Sequence, residues 1–253
     1  MTKDNTQRFS DRVDTYVKYR PSYPKEAIDY LYDTVGLRGG GEIADVGAGT
    51  GKFTRLLLER GSEVAAVEPN DAMREAMVAE LGGTPGFRAM PGTAENTLLA
   101  DASAAHIVCA QAFHWFDREK AKVEFKRILK PGGRVALVWN SRLTRGTPFL
   151  EAYDKLLYTY GIDYAIVQHK NISEAALGQF FAPAEMRVAR FPSGQLLDFE
   201  GLSGRLLSSS YIPKPGHPNY EPMMTELREI FDRCNDNGLV SFDYETEVFW
   251  GEL

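Results

Sequence analysis

The sequence predicts an α/β fold with an open, mostly parallel sheet. Between residues 42 and 139, short apolar runs alternate with stretches of helical periodicity, as expected for strands joined by crossover helices. Over residues 242–248, apolar or aromatic positions alternate with acidic ones, which predicts a late antiparallel strand pair added to that sheet. The chain has 253 residues and no obvious linker, so a single domain is expected.

The predicted elements follow one another in a regular order. Strands are expected at 42–46, 63–68, 87–90, 106–113 and 134–139, and later at 185–191 and 242–248. Helices are expected from residue 53, then at 72–81, 118–129, 147–178, 201–210 and 221–234. The segment 213–222 contains four prolines and is predicted to be a loop.

The charge balance argues against several classes of partner. There are 35 acidic and 29 basic residues, giving a net charge of −6 and a pI near 5.4. A general affinity for nucleic acid or an anionic membrane needs a basic surface, so neither partner is expected. The longest mostly apolar run, 104–116, is shorter than the roughly 20 residues of a membrane-spanning helix.

Targeting and cysteine patterns indicate a reducing compartment. Residues 1–14 are mixed in charge and lack the apolar stretch of a secretion signal. Cys109 and Cys234 are far apart and form no CxxC pattern, so neither a zinc site nor a disulfide framework is indicated. We therefore expect a cytoplasmic protein.

The most informative segment is DVGAGTGKFT at residues 45–54. Its glycines at 47, 49 and 51 follow a predicted strand and precede a predicted helix. Such a turn lets a ligand approach the backbone at a helix N-terminus.

Two nucleotide-binding patterns fit this turn poorly. A phosphate-binding P-loop would need glycine at Val46 and a hydroxyl residue at Phe53, so it is excluded. The dinucleotide fingerprint would need its third glycine at Lys52, which weakens that interpretation. Glu68, at the end of the next predicted strand, can accept both ribose hydroxyls, but it also occurs in NAD enzymes.

A third pattern matches better. The segment 45–51 resembles the nucleotide-binding motif of class I S-adenosylmethionine-dependent methyltransferases, an acidic residue followed by GxGxG. Residues 92–95 (GTAE) resemble the adenine-side segment of that family, and 129–134 (LKPGGR) its entry to the fifth strand. Residues 110–117 (AQAFHWFD) are similar to the fourth-strand motif of the small-molecule, type 11 group that includes trans-aconitate methyltransferase-like enzymes.

The resemblance covers roughly residues 9–140, including an N-terminal element at 19–24 (YRPSYP), and beyond Asn140 only the strand pattern continues. One residue departs from it. The trans-aconitate enzymes are expected to carry glutamine at the position of His114, so the resemblance does not extend to their substrate.

The resemblance implies a Rossmann-like, doubly wound, seven-stranded sheet, mostly parallel with an antiparallel C-terminal strand and helices on both faces. It implies one methyltransferase domain over 1–253, with a helical cap over the cofactor site at about 1–40 and substrate-side insertions at about 141–235. The implied cofactor is S-adenosyl-L-methionine, and the product S-adenosyl-L-homocysteine. The expected cofactor residues are Tyr19, Arg20, Asp45, Gly47, Ala48, Gly49, Thr50, Gly51, Glu68, Pro69, Met73, Thr93, Ala94, Glu95, Gln111, Ala112 and Phe113.

Aromatic and basic residues receive roles from the chemistry of methyl transfer. Aromatic faces tolerate the cationic sulfonium, and the candidates for that wall are Phe9, Tyr16, Tyr19, Phe113 and Trp115. Arg20 is expected at the methionyl carboxylate.

Residues at the carboxyl ends of strands are expected at the substrate. His114 is the candidate catalytic residue, either as a base for a hydroxyl or as an orienting group for a carboxylate. Tyr16, Trp115, Asn140 and Arg142 are the candidate substrate contacts. No histidine pair has metal-ligand spacing, and no metal is expected.

The leading hypothesis is methylation of a small molecule, with a carboxylate or hydroxyl oxygen as the expected acceptor. One alternative is an NAD(P)-dependent oxidoreductase, which Lys52 and the antiparallel C-terminal pattern oppose. Another is a non-catalytic S-adenosylmethionine-binding module. Protein or RNA methylation lacks an obvious basic track.

Overall fold

A seven-stranded sheet forms the centre of the protein in the computed structural model, which describes residues 18–38, 41–162, 164 and 172–253. The strands are β1 (Ile43–Val46), β2 (Val64–Val67), β3 (Phe87–Met90), β4 (His106–Ala110), β5 (Val135–Arg142), β6 (Arg187–Leu197) and β7 (Val240–Gly251). Their order is β3-β2-β1-β4-β5-β7-β6. Strands β1 to β5 pair in parallel, and β7 is antiparallel to both neighbours. The predicted fold class is confirmed.

Helices connect and cover these strands. They are α1 (Lys25–Tyr30, continued by a π-helical turn, Leu31–Val35), α2 (Lys52–Glu59), α3 (Asp71–Leu81), α4 (Arg118–Ile128), α5 (Pro148–Tyr160), α6 (Glu174–Phe181), α7 (Phe199–Leu207) and α8 (Tyr220–Cys234). Five begin at a side chain that accepts a backbone N–H of the first turn, namely Asn70, Asp117, Thr147, Ser173 and Asp198. Such caps satisfy N–H groups that have no partner inside the helix.

The central strands β1, β2, β4 and β5 are buried on both faces. Helices α1, α2 and α3 pack on one face, where Leu31, Leu57 and Met77 are fully buried. Helices α4 and α6 pack on the other, around Phe125 and Phe181. A third apolar cluster joins α5, α7 and α8 to the start of β7. Because parallel strands need cover on both faces, their sequences are continuous apolar runs.

Several predicted boundaries were wrong. Strand β5 continues to Arg142, because β7 pairs with it as far as the Arg142–Tyr244 partners. The predicted strand 106–113 ends at Ala110. The predicted helix 147–178 ends at Tyr160, after which Gly161 has extended backbone angles.

In the last third of the chain, too, the observed element boundaries differ from the predicted ones. The predicted strand 185–191 begins and ends later, as β6, since it follows β7 along its whole length. Pro222 lies in the first turn of α8 rather than in a loop, a position where its missing N–H is tolerated. Within the described residues, no helix combines the length and apolar character needed to cross a membrane.

One buried carboxylate ties α4 to the segment between β3 and β4. Glu124 accepts hydrogen bonds from the backbone N–H and the hydroxyl of Thr97, at 2.7 and 2.6 Å. It also accepts two bonds from Arg127, at 2.8 Å each. Burial alone would raise the pKa of Glu124, but the bonds from Arg127 and Thr97 lower the pKa to about 2.

Replacing Glu124 by glutamine is expected to destabilise the protein by about 1.5–3 kcal/mol at pH 7, the range for losing a charged hydrogen bond. The folded pKa lies below the value of about 4.3 for an unfolded glutamate. The stabilisation is therefore complete above that value and is lost as pH falls towards 2. In urea unfolding at a series of pH values, the difference in free energy of unfolding between wild type and Glu124→Gln should become smaller as the pH falls from about 4.3 towards 2.

The matched control is Glu75→Gln, which changes an exposed carboxylate on α3. It should leave the free energy of unfolding nearly unchanged at every pH. If the difference in free energy of unfolding between wild type and Glu124→Gln stays constant down to low pH, the lowered pKa of Glu124 is contradicted.

Candidate active site

A cavity of about 300 Å³ lies beyond the carboxyl ends of β1, β2, β4 and β5, the edge at which open α/β sheets bind ligands. It brings together most of the residues singled out from the sequence. Those lining it are Arg20, Asp45, Gly47, Ala48, Gly49, Thr50, Glu68, Pro69, Met73, Thr93, Ala94, Glu95, Gln111, Ala112, His114, Trp115, Asn140 and Arg142. Tyr19, Gly51 and Phe113 are not among its lining residues.

The glycine turn between β1 and α2 forms one wall of the cavity. Gly47 has a φ of +76°, and a Cβ there would lie 2.4 Å from the Cβ of Ala112, which follows β4. Gly51 has a φ of +81°, and its Cβ would lie 2.8 Å from Met77 and Leu81 on α3. Glycine is therefore required at 47 for the approach of the two strand ends and at 51 for packing beneath the loop.

The carboxylate of Glu68 joins this turn to the end of β2. Its Oε2 accepts the N–H of Gly49, and its Oε1 accepts the N–H of Asn70, both at 2.8 Å. The residue is 6% exposed, and burial raises the pKa of Glu68 while the two backbone bonds oppose that rise. Each oxygen retains acceptor capacity towards a ligand, since a carboxylate oxygen accepts more than one bond.

Two buried oxygens at the turn have no partner among the described residues. Asp45 accepts the Thr54 hydroxyl with Oδ2 at 2.6 Å, but its Oδ1 has no such partner, and neither has Oγ1 of Thr50. Burial, with a smaller contribution from the charge of Glu68, raises the pKa of Asp45 to about 7. Because buried polar atoms are normally hydrogen-bonded, both oxygens fit a ligand that brings polar hydrogens to the cavity.

The chain turns sharply after β4. Gln111 has a φ of +60°, a strained value for a residue other than glycine, and its N–H donates to the Val138 carbonyl at 2.8 Å. A 3₁₀ turn, Phe113–Trp115, follows. Phe113 is fully buried and packs edge-on against Trp139 and Phe180, which places it in the core rather than in the cavity wall.

His114 lies on that turn and lines the cavity. The indole N–H of Trp139 donates to its Nδ1 at 3.5 Å, a long hydrogen bond. An acceptor at Nδ1 leaves the proton of a neutral imidazole on Nε2. The arrangement therefore favours a ring that donates from Nε2.

Asn140 and Arg142 line the cavity from within β5 rather than from a loop after it. The Asn140 amide donates to the Ser22 carbonyl at 3.0 Å and accepts the Thr246 hydroxyl at 2.6 Å. Asn140 thus links the N-terminal segment to β7. Arg142 forms an ion pair with Asp154 and donates to the Tyr164 hydroxyl.

The N-terminal segment closes one side of the cavity. Arg20 lines it and donates to the Ser208 carbonyl at 3.1 Å, and its own carbonyl accepts the Lys52 ammonium at 2.5 Å. Tyr19 instead donates to Glu200 at 3.1 Å. Phe9 and Tyr16 lie outside the described residues.

Sequence reasoning missed eleven of the residues that line the cavity. Six of them lie inside the recognised segments 19–24, 45–54 and 110–117, whereas the five that follow residue 142 belong to no local motif. The missed lining residues are Pro21, Tyr23, Lys52, Phe53, Ala110, Phe116, Thr144, Tyr164, Arg205, Ser210 and Tyr211. Burial, followed by the charges of Arg20 and Arg205, lowers the pKa of Lys52 to about 8.

The described residues contain no group of three or more histidine, cysteine, aspartate or glutamate side chains arranged to hold a metal ion. The side chains that line the cavity offer carboxylates, guanidinium groups, the Lys52 ammonium, hydroxyls, aromatic rings and the His114 imidazole.

Comparison with solved structures supports the fold. The protein resembles a methyltransferase structure from Anaeromyxobacter dehalogenans with a TM-score of 0.65 and 21% identity, over 92% of this chain and 97% of that one. At this identity the likeness concerns the fold alone.

Sequence comparison goes further. A family model described as a methyltransferase domain matches residues 44–137. A methyltransferase of Mycobacterium tuberculosis is 44% identical over 140 residues, 55% of each chain, so the match spans about half the length of that relative. A methyltransferase-like protein of Schizosaccharomyces pombe is 32% identical over 248 residues, which is 96% of this chain and 94% of that protein. This chain therefore belongs to the methyltransferase family.

Proposed function

We propose that this methyltransferase uses S-adenosylmethionine and transfers the methyl group to an oxygen, of a carboxylate or a hydroxyl, on a small molecule. The observation that carries the proposal is the Glu68 carboxylate, buried at the sheet edge beside the glycine turn and hydrogen-bonded to Gly49 and Asn70. A carboxylate in that place suits a ribose diol. The net charge of −6 supports a small-molecule acceptor over a nucleic acid.

The residues of the cavity fit such a cofactor. Glu68 would accept the ribose hydroxyls, and the backbone of 47–50 would lie against the nucleoside. The oxygens of Asp45 and Thr50 that have no partner among the described residues would accept polar hydrogens of the ligand. Thr93, Ala94 and Glu95, which line the cavity after β3, would lie at the adenine.

Other parts of the chain that line the cavity receive different roles. Residues of the proposed N-terminal cap, about 1–40, line it at Arg20, Pro21 and Tyr23, and Arg20 would meet the methionyl carboxylate. Residues of the proposed substrate-side insertions, about 141–235, line it as well, among them Arg142, Arg205 and Tyr211, and Arg20 touches this part of the chain through the Ser208 carbonyl. Trp115 and Phe116 would supply aromatic faces where the cationic sulfonium lies.

When bound, S-adenosylmethionine supplies a methyl group on a sulfonium, which is open to in-line attack by a nucleophilic oxygen. The residues of this chain would align the acceptor with that methyl group and exclude water. Alignment alone lowers the activation barrier for transfer substantially. His114, with Nε2 as its donor nitrogen, would orient an oxygen of a carboxylate acceptor. For a hydroxyl acceptor the other tautomer would be required, with the ring proton on Nδ1 and the bond from Trp139 lost, so that the lone pair of Nε2 could receive the hydroxyl proton.

Cofactor choice is tested by thermal unfolding. S-adenosylmethionine and S-adenosylhomocysteine are expected to raise the Tm, whereas NAD and NADP are not. A ligand at 100 times its Kd stabilises the folded state by about 2.7 kcal/mol. A rise with NADP and none with S-adenosylhomocysteine would reverse the choice of cofactor.

Replacing Glu68 by glutamine should weaken S-adenosylhomocysteine binding by about 10- to 150-fold, since a charged hydrogen bond contributes roughly 1.5–3 kcal/mol. Calorimetric titration measures this loss. The control is Glu63→Gln, an exposed carboxylate just before β2, which should bind normally. Equal affinity in the two variants would remove Glu68 from the cofactor site.

Replacing His114 by alanine should leave S-adenosylhomocysteine affinity nearly unchanged and lower turnover. Losing a base should cost about 10²–10⁴ in rate, with wild-type activity rising with pH. Losing an orienting donor should act mainly through substrate affinity. The control is His217→Ala, which changes an exposed histidine before α8. If His114→Ala turns over its true substrate at the wild-type rate, the role of His114 is structural.

A further inference from the structure

A buried guanidinium lines the cavity without an acidic partner. Arg205 of α7 is 6% exposed. Its Nε donates to the Tyr244 hydroxyl at 2.8 Å, and its Nη1 donates to the Ser209 hydroxyl at 3.2 Å. The rings of Phe242 and Tyr244 lie 5.4 and 5.8 Å away. Among the described residues no carboxylate forms an ion pair with it, so its charge is solvated only by hydroxyls and aromatic faces.

A second buried arginine, Arg142, lines the same cavity. Its guanidinium is also buried, but it forms an ion pair with Asp154. Removing a charge from water costs several kcal/mol unless a partner offsets it. Arg142 is neutralised inside the protein, whereas Arg205 lines a space where a ligand can supply the negative charge.

The proposed cofactor does not carry enough negative charge to neutralise Arg205. S-adenosylmethionine carries one carboxylate, one ammonium and one sulfonium, so it is cationic overall. Lys52 adds a further cation to the cavity wall, and its ammonium is held by a carbonyl oxygen rather than by a carboxylate. Bound cofactor would thus add one net positive charge to the cavity that Arg205 lines, which favours an acceptor that is an anion.

We propose that the acceptor is an organic acid and that Arg205 binds its anionic group as the specificity-determining contact. This inference rests on the proposed function and narrows its substrate class. A guanidinium holds a carboxylate through a charge-assisted, forked contact. Trp115, Phe116 and Tyr211 line the same cavity and suit an apolar or aromatic body attached to that acid.

The test compares acids with their uncharged amides. Acetate, succinate, 3-phenylpropanoate and indole-3-acetate, each beside its amide, are titrated into the protein saturated with S-adenosylhomocysteine. At least one acid should raise the Tm of that complex more than its amide does. If no acid exceeds its amide, the inference is overturned, while the Tm rise caused by S-adenosylhomocysteine itself still reports separately on the proposed function.

Three variants locate the contact. Arg205→Met should bind the responding acid about tenfold or more weakly, as expected for losing a charged hydrogen bond, and Arg205→Lys should recover part of that loss. Arg233→Met removes an exposed arginine from α8 and should bind the acid as wild type does. Equal acid affinity in Arg205→Met and Arg233→Met would overturn the assignment.

The methionyl carboxylate is the competing occupant of Arg205. In that case Arg205→Met would lose affinity for S-adenosylhomocysteine but not for 5′-methylthioadenosine, which lacks the amino-acid part. The inference requires that Arg205→Met bind both nucleosides within about twofold of wild type. Normal binding of the two nucleosides would show that the Arg205→Met variant is folded. The Arg205→Lys variant keeps the charge, so partial recovery of acid binding there would identify the acid contact rather than a folding defect as the cause of the loss.

Discussion

The arrangement of the site depends on one carboxylate that bridges two strand ends. Glu68 follows β2, and its oxygens accept the N–H groups of Gly49 in the first turn and Asn70 before α3. Asn70 in turn caps α3 by accepting the N–H of Met73 at 2.9 Å. The glycine loop, the end of β2 and the start of α3 are thus held by a single buried group, and each oxygen still has capacity to accept a bond from a ligand.

This bridge works because the sheet brings the strand ends close. Strands β1 and β2 pair in parallel with Val46 opposite Val67, so the residues that follow them emerge side by side. Gly47 allows the further approach of Ala112 beyond β4. A side chain at 47 would force these ends apart at the edge of the sheet beyond which the cavity lies.

Much of the fold was predictable because its signals are local. A buried parallel strand is a short apolar run, and a crossover helix has its own periodicity and stop signals. The extensions of β5 and β6 were not predictable in this way, because they follow from pairing with β7, which is distant in the sequence. The end of the predicted helix 147–178 at Tyr160 had a weak local signal in Gly161, which the aromatic periodicity obscured.

The part of the cavity proposed for the cofactor was predictable for a similar reason. Gly47 and Gly51 are required by positive φ values and close approaches, and Glu68 directly follows a recognisable strand, so both leave a mark in the sequence. The acceptor contacts proposed after β5 leave none. Arg205 and Tyr211 lie in and just after a predicted helix, and nothing in the sequence separates a surface arginine from a buried one. Arg142 was identified from its place near the end of β5, but its pairing with Asp154 depends on how α5 packs.

Arg142 and Arg205 carry the same charge, line the same cavity and are both buried, but only Arg142 has an acidic partner among the described residues. α5 supplies Asp154 to the first, whereas β7 supplies Tyr244 to the second. A tyrosine hydroxyl orients a guanidinium without neutralising it, so its charge remains available to a ligand. The elements that follow β5 therefore set the charge around the proposed acceptor contacts, while the ends of the parallel strands carry the residues proposed for the nucleoside. Acceptor preference in this chain should change with α7 and β7, and cofactor preference should not.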